Sequence, residues 1–179
     1  MPSTSLWKSI AIAAAAQMAV PAFEAVADFD KPKKPSVDCT QRKNRNNPAC
    51  QPHRTDATQD EIYNAAYWMN RSGQFATALD ILKLAKDRND PRILNETGYA
   101  TRKLGNVEAA RGFYRRALAI DPDYVFARAY MGEALLTQGD LTAAGEQLRE
   151  ISQRCGTSCT AYSHLAEHIA KFEGAKHGG

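Results

Sequence analysis

The stretch KLGNVEAARGFYRRALAIDP, Lys103 to Pro122, holds a glycine, a capping residue and a run of helix-forming residues in that order. Two further stretches repeat its spacing: RSGQFATALDILKLA from Arg71 to Ala85, and TQGDLTAAGEQLREI from Thr137 to Ile151. Their glycines, Gly73, Gly105 and Gly139, stand 32 and 34 residues apart. An alanine follows each glycine by 5 residues (Ala78, Ala110, Ala144), and a small residue precedes each by 7 (Ala66, Gly98, Gly132). A period of this length marks stacked supersecondary units that bury their apolar faces only against each other.

The offsets have a physical logic. The glycine ends one helix where a left-handed backbone is needed. Asn106 and Asp140 follow and supply a side-chain oxygen to the free amides of the next helix. The small residues let two antiparallel helices approach closely, so each unit is a helix hairpin. Thr58-Gln59-Asp60-Glu61 fits a capping box and predicts the first helix start. From there to Phe172, alanine and leucine recur at intervals of 3–4 residues, the helical period. A last helix is predicted over Thr160 to Phe172, with Tyr162, Leu165, Ile169 and Phe172 on one apolar stripe.

The sequence resembles the tetratricopeptide repeat family. The middle copy, Pro91 to Tyr124, carries Leu94, Gly98, Gly105, Ala110, Tyr114, Ala117 and Pro122 at that family's offsets. The third copy, Val125 to Ser158, keeps Met131, Gly132, Gly139, Ala144 and Leu148, and departs at Ile151 (alanine in the family) and Gly156 (proline). The first copy, about Gln59 to Asp90, keeps Ile62, Ala66, Gly73, Ala78, Leu82 and Ala85 and runs two residues short. The resemblance implies an all-α fold: three helix hairpins in a right-handed superhelix plus a C-terminal capping helix. The repeat domain with that helix is placed at 58–173, and a flexible tail at 174–179.

The resemblance also implies a concave groove, lined by the first helix of each hairpin, that binds protein or peptide segments. Mapped by offset from each glycine, the groove positions are Asp60, Tyr63, Tyr67 and Asn70, then Arg92, Asn95, Tyr99 and Arg102, then Phe126, Ala129, Glu133 and Leu136. Tyrosines give stiff amphipathic area, and asparagines can bond an extended backbone. The branch of the family that clamps a carboxylate terminus uses lysine, asparagine and arginine at set positions. Here those places hold Tyr63, Tyr67, Glu96, Phe126 and Tyr130, so that ligand is not expected.

The N-terminal part reads differently. Lys8, the apolar run Ile10 to Val20 and Ala25-Val26-Ala27 have the layout of a secretory leader, with cleavage expected before Asp28. The run is shorter than the roughly 20 residues that cross a bilayer. Residues 28–57 are rich in Pro, Asn and Lys, with seven Lys or Arg against four Asp. That segment carries the whole net charge of +3 and is expected as a basic arm, in weak contact at most with anionic envelope surfaces. Nucleic acid is not an expected partner of an exported chain whose folded part is neutral. The expected location is periplasmic or secreted, in a Gram-negative bacterium.

Export also sets the expected state of the four cysteines that follow the leader, Cys39, Cys50, Cys155 and Cys159. Of the three formal pairings, Cys39 with Cys50 and Cys155 with Cys159 close the shortest loops. His164-Leu165-Ala166-Glu167-His168 matches the H-x-x-E-H pattern of inverted-motif metallopeptidases. Only eleven residues follow His168, with Glu173 their one acid, and a terminal helix has no walls to exclude water. A structural zinc on Cys155, Cys159, His164 and His168 is the other metal option, with a spacer far shorter than in zinc fingers. The favoured expectation is a plain staple, with both histidines at the boundary or in solvent.

Together these features point to a non-enzymatic protein- or peptide-binding scaffold or adaptor of the cell envelope, with no cofactor. The alternatives are a metal-binding protein using the C-terminal Cys/His cluster and a self-oligomerising structural protein.

Overall fold

Thr58 caps the first helix as its neighbours predict. Its hydroxyl accepts from the Glu61 amide at 3.2 Å, and the Glu61 carboxylate accepts from the Thr58 amide at 2.9 Å. The computed structural model describes residues 57–177, with Lys43 before them. The leader and the Cys39–Cys50 loop fall outside the described residues. The described residues form seven α-helices and no strand: α1 Gln59–Arg71, α2 Phe75–Leu82, α3 Pro91–Lys103, α4 Val107–Ile120, α5 Val125–Thr137, α6 Leu141–Cys155 and α7 Thr160–His177. None is long and apolar enough to cross a membrane.

Three hairpins, α1–α2, α3–α4 and α5–α6, follow from the glycine turns. Gly73, Gly105 and Gly139 have φ of +76°, +94° and +81°, the left-handed region that a Cβ disfavours. The next residue then caps the second helix. Asn106 Oδ1 accepts from the Ala109 amide at 3.2 Å, and Asp140 Oδ1 from the Ala143 amide at 3.0 Å. In the first hairpin Gln74 stands at the cap without such a bond, and α2 is the shortest helix, at 8 residues.

Two of the small residues mark where helices nearly touch. A Cβ on Gly98 would lie 2.6 Å from Cε1 of Tyr114, within the second hairpin. A Cβ on Gly132 would lie 2.6 Å from Cδ2 of Leu165, which belongs to α7. Tyr114 and Leu165 are both fully buried. The contact made at Gly132 is therefore not inside its own hairpin, as the repeat logic predicts, but with the following helix.

The hairpins stack with a curvature set by unequal contact. Successive first helices touch (α1 with α3, α3 with α5, α5 with α7), while successive second helices make no comparable contact. The array therefore curves toward its first helices. α7 packs against both α5 and α6, the place of a fourth first helix. Its Leu165 is buried, with Tyr162, Ile169 and Phe172 packed around it against Ile151 and Ala144. α7 also runs to His177, so the expected tail from residue 174 is helical over its first four residues. A single helix-interior glycine, Gly174, costs only about 1 kcal/mol relative to alanine and does not end a helix by itself.

The packing yields a signed prediction. Gly98→Ala should lower stability by about 1–3 kcal/mol, because the new methyl meets the buried Tyr114 ring. Gly145→Ala, on α6 with nothing within 4 Å of the added Cβ, should raise stability by about 0.5–1 kcal/mol. Urea denaturation of both variants measures the two signs.

Candidate functional site

The first helices carry a chain of charged and aromatic side chains that crosses the array. It begins at Arg71 in the last turn of α1. The Arg71 guanidinium lies 4.1 Å from the Tyr67 ring centroid and 4.5 Å from that of Tyr99 on α3. Its Nη1 is 3.2 Å from Oε2 of Glu96 on α3, and its Nη2 donates to the Tyr130 hydroxyl on α5 at 2.8 Å. One side chain thus joins three helices. Burial opposes the Arg71 charge, but Glu96 and the facing tyrosines outweigh it and hold its pKa above the ordinary value.

Glu96 is almost wholly buried, and a buried carboxylate needs partners. Asn70 Nδ2 donates to Glu96 Oε2 at 2.8 Å and to the Glu96 carbonyl at 3.1 Å. Asn95 Nδ2 adds a longer bond to Oε1 at 3.4 Å.

The second link joins α3, α5 and α7. Arg102 Nη2 lies 2.9 Å from Glu133 Oε2, with both side chains at most 9% exposed. No N–H of that nitrogen is aimed at an acceptor, so the attraction is one of charge rather than an aligned hydrogen bond. Glu133 Oε1 is 2.7 Å from His164 Nε2, and Oε2 is 3.6 Å from His168 Nε2. Burial pushes the Glu133 pKa up, while the His164 hydrogen bond and the Arg102 charge bring it below the ordinary carboxylate value. Burial, with help from His164 and Arg102, brings the His168 pKa below its ordinary value against the pull of Glu133. Aromatic edges run alongside: Tyr99 meets Tyr130 at 5.1 Å between centroids, and Tyr130 meets His164 at 5.8 Å.

The groove residues named from the sequence divide into two layers. Tyr63 and Tyr67 are buried in the α1–α2 core, and Asn70, Asn95 and Glu133 are also buried. Asn70 and Asn95 do not offer their amides to a ligand's backbone as expected. They turn inward, because Glu96 must be bonded. Arg92, Tyr99 and Phe126 are only partly buried and remain within reach of a ligand, while Arg102 shows only an edge. Arg92 bridges Asp90 at 2.8 Å and Asp60 at 2.9 Å, with its guanidinium 5.0 Å from the Tyr63 ring centroid.

Arg71, Glu96, Tyr130, His164 and His168 belong to the same face; sequence mapping met Glu96 and Tyr130 only at the carboxylate-clamp positions and gave Arg71, His164 and His168 no place in the groove. One signal was present for the histidines. Gly174 stands 35 residues after Gly139, and counting back from it puts His164 and His168 at the offsets of Tyr63 and Tyr67. Both histidines lie at the boundary as expected, half-exposed, and both face Glu133, a contact the sequence reading did not anticipate. Of the alternative zinc set of Cys155, Cys159, His164 and His168, the two cysteines form the favoured staple. The two sulfurs are bonded to each other at 2.11 Å, which removes the thiolates a metal needs. Glu167 of the H-x-x-E-H motif pairs with Lys171 at 2.6 Å, out in solvent.

This arrangement is a helical-hairpin array with a polar and aromatic inner face. The model of the tetratricopeptide repeat family matches residues 102–166, from the end of α3 into α7. Over that span the chain is similar to tetratricopeptide repeats. Two solved structures share the fold, both of the Yersinia enterocolitica type III secretion chaperone SycD. One, in complex with a peptide of the translocator YopD, has a TM-score of 0.54 and 19% identity over 65% of this chain and 89% of that one. The other has a TM-score of 0.55 and 17% identity over 66% of this chain and 85% of that one. No curated protein matches the chain.

Removing one partner of the buried pair should expose its role. Glu96→Ala takes the carboxylate away from Arg71 and Asn70, leaving them the Tyr130 hydroxyl and a backbone carbonyl, and should destabilise by about 3–5 kcal/mol. Arg71→Met combined with Glu96→Leu should cost clearly less than the sum of the single changes. Chemical denaturation of the full cycle measures the difference.

Proposed function

We propose that this protein is a non-enzymatic binding scaffold of the cell envelope that holds an extended segment of a partner protein along its first helices. The observation that carries the proposal is the unbroken row of Arg71, Tyr99, Tyr130 and His164 across four neighbouring helices. Each ring is fixed by the next, so little side-chain freedom remains to be lost on binding. Tyr99, braced by the buried Tyr130, and Phe126 offer partly exposed flat area, while Arg92, the edge of Arg102 and the histidines add polar groups at the rim. SycD, with the same fold, was solved in complex with a peptide of YopD, which supports a peptide as the ligand class. The envelope location rests on the leader-like pattern before Asp28.

The surface can be tested by position. A photo-crosslinking amino acid replaces Tyr99 on the inner face in one variant. In the other it replaces Arg115, exposed on α4, a second helix on the outer side of the curve. After irradiation in the producing cell, the Tyr99 probe should give an adduct with a different polypeptide, and the Arg115 probe should not. Adducts from Arg115 alone would move binding to the outer surface. A Tyr99 adduct with the mass of two copies would make the face a self-association surface instead.

A further inference from the structure

We propose that Glu133, His164 and His168 form a binding site for one divalent transition-metal ion of the zinc class. The three side chains come from two helices, and their ligand atoms lie within 4.8 Å of one another. Two imidazoles and one carboxylate are the donor set that suits zinc, nickel or cobalt rather than magnesium or calcium. His164 and His168 are one helical turn apart with ring centroids at 4.8 Å, so both Nε2 atoms reach the same carboxylate. A tetrahedral ion about 2.1 Å from each donor holds its ligands about 3.4 Å apart. The two His–Glu separations, 2.7 Å from His164 to Oε1 and 3.6 Å from His168 to Oε2, fall on either side of that value. The histidines are about 40% exposed and can adjust by side-chain rotation alone.

Arg102 pairs with Oε2 of Glu133, which fixes the carboxylate and leaves Oε1 for an ion, the role of an outer-shell partner. The Arg102 charge also repels an incoming cation, so affinity is expected in the micromolar range. The bound ion would tie α7 to α5 and leave its remaining coordination positions on the solvent side. This set differs from the motif in the sequence: Glu133, 31 residues before His164, takes the part that Glu167 and the cysteines do not.

The test is titration calorimetry on the untagged full-length protein with the Cys155–Cys159 bond intact. Zinc should bind one ion per chain, and magnesium should give no binding. Asn replacements of the half-exposed histidines, His164→Asn with His168→Asn, should weaken zinc at least about tenfold while leaving the helical signal unchanged. Glu133→Gln should weaken it likewise, and the histidine pair decides the matter if that variant fails to fold. Absence of zinc binding to the parent would overturn the proposal. So would unchanged affinity in the histidine variant, which would assign the ion to His53 or His177.

Discussion

A carboxylate with no water around it must be answered from within the protein, and in this chain that demand falls on Glu96. It is met by Asn70 and Arg71 from the neighbouring helix. Arg71 in turn is held over Tyr67 and Tyr99 and bonded to Tyr130. The result is that α1, α3 and α5 cannot shift independently without leaving a charge unpaired in an apolar setting, which is among the costlier defects a fold can carry. Glu133 repeats the arrangement one step along, with Arg102 on one side and the α7 histidines on the other. The same contacts that fix the array also order its inner face, where Tyr99 and His164 are partly exposed over the buried Tyr67 and Tyr130.

Close approach makes those links possible. Without Cβ atoms, Gly98 and Gly132 admit the Tyr114 ring and the Leu165 side chain. Gly132 has a further consequence, because it draws α7 into the place of a fourth first helix. Gly156, where the family has proline, turns the chain at φ +78° and starts α7, with the Cys155–Cys159 bond across the turn. A helix that reads as a plain cap thus extends the inner face and brings two histidines onto it.

How far this was legible in the sequence depends on the element. The hairpins were, because glycine, cap and small residue each have a steric or hydrogen-bonding reason to stand at a fixed offset. The Thr58 capping box and the Leu165 stripe were legible for the same reason. The layering of the inner face was not. Neighbouring helical positions differ by about 100° in direction. A shift of one residue therefore exchanges Asn70 for Arg71 or Asn95 for Glu96 as the group that meets the next helix. Nor does any local pattern state that Glu96 and Glu133 are buried; that follows only when three helices are in place. The contact of His164 and His168 with Glu133 was missed because α7 was taken as an end rather than as the next first helix.

The central claim is that buried charge pairs weld the first helices into one surface. Native-state hydrogen exchange, resolved helix by helix, tests it most directly in Glu96→Gln against the parent chain. The account predicts that amide protection falls together in α1, α3 and α5, since the substitution removes the charge that holds Arg71 in place between the three. Loss confined to α1, with α3 and α5 protected as before, would contradict it and leave the hairpins as independent units held by apolar packing alone.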